Sequence, residues 1–147
     1  MVTHPPAHLP SAQPLRRTDW LRIGTGAAVL SVAAVVLGQL LALAIWPDLA
    51  AFEPLNSLPR SALFTAIPAF GATAVFAWLD RRAAQPARAF VLVSAAVLLV
   101  SIVPDYVLPF ANMTFLASTV TAALHVLAAV VTVAVLLLGY RNARLSA

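Results

Sequence analysis

Cysteine and lysine are both absent from this chain, and charge of either sign is scarce. Without cysteine there is no disulfide, no thiolate metal ligand, no redox pair and no cysteine nucleophile. Charged residues make up 10% of the 147 positions, against about 25% in a soluble domain. Apolar residues fill the deficit at 62%, where about 45–50% is ordinary. So much apolar surface exceeds what a soluble fold of this length can cover, which directs the reading towards a membrane.

The net charge of +4 sets nine basic residues, all arginine, against five acidic ones. The arginines stand in short clusters at the ends of apolar runs and form no basic stripe interleaved with aromatics, so nucleic acid is not expected as a partner. The lipid bilayer is, with its anionic headgroups against the arginines. Itself or another membrane protein is the remaining partner expected. No motif implies a cofactor. Gly24-Thr25-Gly26 lacks the preceding strand and the downstream glycine that a phosphate-binding turn requires.

Residues 1–18, with four of the eleven prolines and no apolar period, predict a disordered cytoplasmic tail. His4 and His8 lie in it as solvated side chains, with metal binding the less favoured reading. Four apolar runs follow, predicting a transmembrane domain over 19–141 and a short cytoplasmic tail over 142–147. The spans are placed at about 23–46, 61–79, 87–105 and 115–140. The first run is 24 residues, about 36 Å of helix, enough for a hydrocarbon core of about 30 Å. Arg16-Arg17 followed by an apolar stretch and Ala42-Leu43-Ala44 has the outline of a cleaved signal sequence, but the stretch exceeds the 7–15 residues typical of one.

Asn56-Ser57-Leu58-Pro59 reads as a cap followed by a first-turn proline that starts the second span. Pro68 predicts a kink within that span. The third run, 89–103, is about 22 Å long and reaches spanning length only by starting at Pro86 and passing Pro104. A re-entrant hairpin is the alternative. No Asp, Glu or Arg falls within the apolar runs, where each would cost about 2.5–3.5 kcal/mol at a helix centre.

Arginine placement sets the orientation. Arg16, Arg17, Arg22, Arg81, Arg82, Arg88, Arg141 and Arg144 fall on one side and only Arg60 on the other, which puts both termini in the cytoplasm. The expected fold is thus all-α, a four-helix transmembrane bundle, N-in and C-in, in the cell membrane. Trp46, Trp78 and Tyr140 lie at run ends, as an aromatic belt would place them, and Trp20 lies just before the first run.

Within the apolar runs, His125 is the one histidine. It sits about ten residues from the outer end of the last run, where an imidazole needs a partner. Ser118, Thr121, His125 and Thr132 follow 3, 4 and 7 spacing and share a helix face. Gln39, Thr65 and Ser101 match that depth on the other runs. His125, Thr121, Gln39, Ser101 and Thr65 are therefore the expected polar cluster. Hydrogen bonds that join helices are its plain reading, and a ligand or proton site is the sharper one. With no carboxylate expected at that depth, His125 has nothing to orient it for catalysis. No metal site, cofactor site or catalytic residue is expected, and the chain is not expected to be an enzyme.

On the first run, Ser31, Ala34, Gly38 and Ala42 form a small-residue stripe suited to close helix packing. The outer connections, 47–60 and 104–114, mix apolar and acidic residues. They suggest either a lid over the bundle or a ligand mouth rimmed by Asp48, Glu53 and Asp105.

Thr121-Ala122-Ala123-Leu124-His125-Val126-Leu127-Ala128-Ala129, together with Arg88-Ala89-Phe90 and Ser101-Ile102-Val103-Pro104, is similar to an uncharacterised four-span family of high-GC Gram-positive bacteria. Leu124 stands where that family usually carries methionine. The resemblance implies a bacterial inner-membrane protein and singles out His125, with no activity attached. The expected function is a structural or interaction module of that membrane. A small oligomeric transporter or ligand-binding bundle built around His125 is the alternative.

Overall fold

A computed structural model of the chain describes residues 15–146. Four helices account for most of them: α1 (Arg17–Ile45), α2 (Leu58–Arg82), α3 (Pro86–Val107) and α4 (Phe115–Leu145). Each is long and apolar enough to cross a membrane. The shortest, α3, has 22 residues, about 33 Å at 1.5 Å per residue, and it runs unbroken through Pro104. The third run is therefore one full-length helix and no re-entrant hairpin. It starts with Pro86 at its first position, where a missing N–H costs nothing.

The helix ends extend past the apolar runs because polar residues continue them. Arg17 and Asp19 lie in the first turn of α1, Arg81 and Arg82 close α2, and α4 carries on through Arg141 and Arg144. Residues 15–18, expected as part of a disordered tail, include the start of α1; the remainder of that tail, with His4 and His8, lies outside the described residues. Ser57 caps α2 by accepting from the Arg60 amide at 3.4 Å, and Thr114 caps α4 by accepting from Ala117 at 3.1 Å. Each satisfies a donor that a helix start leaves without an internal partner. Helix α2 continues through Pro68.

Short connections make sequential helices neighbours, in the order α1, α2, α3, α4 around the bundle, and α4 closes on α1. Packing is uneven. Helix α1 is pressed between α2 and α4, whereas α3 touches α2 and α4 more lightly. Two glycines explain the closeness at α1. A Cβ on Gly24 would stand 2.6 Å from Thr73 Cγ2 of α2, and one on Gly139 of α4 would stand 2.7 Å from Ile23 Cγ2 of α1. No side chain fits in either place, which is how small residues let membrane helices approach. The α1 stripe serves the same end, with Ser31 and Ala42 buried and Gly38 facing Leu124 and Leu127 of α4.

Two cores form, one at each end. At the arginine end Trp20, Phe76, Phe90 and Leu136 are buried together. Phe76 stacks on Phe90 with centroids 4.3 Å apart, and Trp20 meets Phe76 edge-on and stacks on Tyr140. Such pairs are worth about 0.5–1.5 kcal/mol each beyond area. Trp20 and Tyr140 thus join the core instead of an aromatic belt, while Trp46 and Trp78 are exposed. At the opposite end two short 3-10 turns, Pro47–Ala51 and Glu53–Leu55, bury Leu49, Phe52 and Leu55 against Ala42 and Ala117. This connection is a lid across the helix ends.

Candidate functional site

The site is built where the lightly packed helix meets α4. Helix α3 has only two buried residues, Phe90 and Asp105, about four turns apart and so on nearly one face. By sequence Asp105 belongs to the outer connection, beyond the third apolar run, as part of a charged rim. The structure corrects this. Because α3 continues past Pro104, the carboxylate lies inside the bundle, 7% exposed, and its Oδ2 accepts from His125 Nδ1 at 2.8 Å. His125 is ten residues along α4 from Phe115, about 15 Å of rise. A carboxylate does stand at the depth of the histidine, contrary to the expectation that none would.

With Asp105 ionised the carboxylate can only accept, and the bond then places the proton on Nδ1. Nε2 is thereby presented as the acceptor in a neutral ring or as a donor in a charged one. Among the described residues Nε2 has no hydrogen-bond partner, and the imidazole is 40% exposed on the bundle surface. The arrangement is an oriented, half-open imidazole backed by a buried carboxylate. It can hold or pass a proton at Nε2, or bind a polar group there. Next to it Tyr106 donates to Thr119 Oγ1 at 3.2 Å, a second polar link between α3 and α4.

The other four residues of the expected cluster bond elsewhere. Thr65 donates to the Ser61 carbonyl and Thr121 to the Ala117 carbonyl, each one turn back on its own helix, and Ser101 donates to Leu98. Gln39, fully buried, sends its Nε2 to the Leu55 carbonyl at 2.8 Å and so ties the lid to α1, with its Oε1 unpartnered. The side-chain bond that does join two spans at mid-depth is Ser31 to Thr132, 2.7 Å. The acidic rim also separates: Asp48 borders a cavity of about 440 Å³ between the lid and the start of α4, Glu53 pairs with Arg60 at 3.5 Å, and Asp105 is inside.

A second carboxylate lies at the arginine end and was not singled out by sequence. The Asp80 side chain is completely buried. Its Oδ2 accepts from the Leu15 amide at 3.0 Å, and its Oδ1 accepts from Tyr140 at 3.0 Å and from the Arg144 guanidinium. Arg144 also lies over the Tyr140 ring, 5.1 Å from its centroid. The segment before α1, the end of α2 and the end of α4 are fastened through one residue. Asp80 abuts Arg81-Arg82, and in sequence it reads as a solvated turn residue. Only its distance in space from Arg144, 64 positions away, marks it.

Among the described residues no group of three or more His, Cys, Asp or Glu side chains is placed to hold a metal ion. The chain matches a family of unknown function (DUF6069) over residues 11–142, and it belongs to that family. No curated protein and no solved structure matches it.

Proposed function

We propose that this DUF6069 member is a multi-pass protein of the bacterial cell membrane, with both termini cytoplasmic, that works as a non-enzymatic interaction module through helix α3. The observation that carries this reading is the contrast between α3 and its neighbours. Helices α1, α2 and α4 are locked by close glycine contacts and most of the aromatic core, whereas α3 adds Phe90 to that core and buries one further residue, the carboxylate of the Asp105–His125 pair. Val97, Leu99, Val100 and Val103 leave a broad apolar face on α3, which meets lipid or a partner helix. The pair then fastens α3 to α4. The eight-to-one arginine split supports the orientation.

The absence of cysteine makes the test direct. Single cysteines at Val97 on α3 and at Leu37 on the outward face of α1, 61% and 66% exposed, are cross-linked in intact membranes. Val97→Cys is expected to give a product, either a second copy or a heavier adduct, and Leu37→Cys none. Equal yields from both positions overturn the module. Orientation is checked separately with an impermeant maleimide on intact cells: Ala51→Cys is expected to label and Ala84→Cys to stay protected.

The unpartnered Nε2 of His125 favours a second reading, a small oligomeric transporter or ligand-binding bundle that moves or binds a proton or small polar ligand there. Reconstituted vesicles carrying an internal pH dye, with a potential imposed, separate the two. Proton entry above that of empty vesicles, abolished by His125→Gln, supports transport; flux no greater than in empty vesicles removes it.

A further inference from the structure

A groove of about 330 Å³ opens on the outer surface of the bundle between α1 and α2, away from the Asp105–His125 pair. Leu21, Gly24, Phe70, Ala74 and Ala77 give it apolar walls, and Arg17 and Arg81 stand at its mouth. Both arginines are exposed, and neither has a carboxylate within ion-pair distance among the described residues. The nearby acids do not compensate them. Asp80 is saturated by Arg144, Tyr140 and the Leu15 amide, and Asp19, in the first turn of α1, does not border the groove. Trp20, 95% buried, also lines it, and its indole N–H has no acceptor among the described residues.

We infer that this groove seats one anionic glycerophospholipid of the leaflet at the arginine end, its phosphate between Arg17 and Arg81 and an acyl chain along Leu21, Phe70 and Ala74. Charge selects the headgroup, because two unpaired guanidiniums bind a phosphate diester in paired fashion and would only repel a second cation. Shape selects the chain. The volume is at the small end of ligand clefts, about 300–1,000 Å³, so one chain enters and the remainder of the lipid stays in the bilayer. A close α1–α2 contact closes the groove below, since Gly24 lies against Thr73 with no room for a Cβ. The inference rests on the reading of four membrane spans and is independent of the role proposed for α3.

Trp20 supplies the readout. The full chain carrying Trp46→Phe and Trp78→Phe leaves Trp20 as its one indole, and is reconstituted in phosphatidylcholine vesicles containing one-tenth bromine-labelled lipid, either phosphatidylglycerol or phosphatidylcholine. Bromine-labelled phosphatidylglycerol is expected to quench Trp20 several-fold more strongly. An arginine near an anionic surface contributes about fivefold in affinity, so adding Arg17→Gln and Arg81→Gln together is expected to erase the preference, about 25-fold in affinity. Arg22→Gln, an exposed arginine outside the groove, is expected to leave it intact. Ala74→Leu, which fills the chain seat without touching charge, is expected to reduce quenching by either lipid. Equal quenching by the two lipids overturns the inference, as does a preference that survives the double arginine variant. Reversal of the preference by millimolar inorganic phosphate overturns the assignment to a lipid.

Discussion

Asp80 and Asp105 are both buried carboxylates that join α4 to another helix, yet they are built oppositely. Asp80 meets a permanent cation, a phenol and a backbone amide, and its side chain is sealed from solvent. Asp105 meets one imidazole, which carries charge only when protonated and keeps one face open. Their surroundings follow suit. The Asp80 end has the stacked Phe76 and Phe90 and the close approaches at Gly24 and Gly139, whereas at the Asp105 end α3 buries no residue besides Asp105 itself. A carboxylate saturated by fixed partners reads as structure. One held by a single, half-exposed partner is fastened less firmly.

The comparison can be broken first at Asp80. Asp80→Ala removes an acceptor shared by three donors and strands the Arg144 charge; breaking such a pair costs about 3–5 kcal/mol. The lower end is expected, because Arg144 is 22% exposed and can turn to the headgroups. Unfolding in a mixed detergent series measures it, and a loss no larger than that of Asp105→Ala would reverse the ranking of the two ends.

Gly24→Val is next. Its side chain would collide with Thr73, and overpacking of this kind costs about 1–3 kcal/mol. The control is Gly26→Ala, where nothing lies within 4 Å and replacing glycine within a helix stabilises by about 0.5–1 kcal/mol. Similar unfolding curves for the two variants would mean that α1 is not held as closely as described.

Asp105→Asn and His125→Gln are expected to be milder, about 1 kcal/mol each, since the imidazole is partly exposed and polar links between membrane helices average about 0.6 kcal/mol. Their double variant should cost less than the sum, because each change removes the same bond. Additive effects would show that the pair does not act as a unit. The smallest change is expected from Ser31→Ala, a few tenths to about 1 kcal/mol for one neutral hydrogen bond to Thr132; its detection needs the same unfolding assay in replicate.

Much of the fold was legible in the residues. Apolar runs located all four helices, and Ser57 and Pro86 marked where two of them begin. The ends were less legible. Arginines and Asp19 look like terminators on a hydropathy scale, but a long side chain at a membrane edge can keep its helix and reach the headgroups. The candidate site was legible by half. His125 stands out as an ionisable residue in an apolar run, whereas Asp105, following Pro104, reads as the start of a loop. The apolar Tyr106-Val107-Leu108 beyond it was the available sign that the helix goes on.

What the sequence determined by itself was the place of four apolar segments and the clustering of arginine at their ends, because each follows from composition along a single segment. Pairing was decided only by tertiary structure. Thr65, Thr121 and Ser101 had the depth to meet His125 but bond within their own helices, since a hydroxyl finds a carbonyl one turn back without help from any neighbour. Carboxylates have no such recourse. Asp80 and Asp105 must find donors across the bundle, and where they find them depends on how four helices rotate against one another, which no single segment encodes.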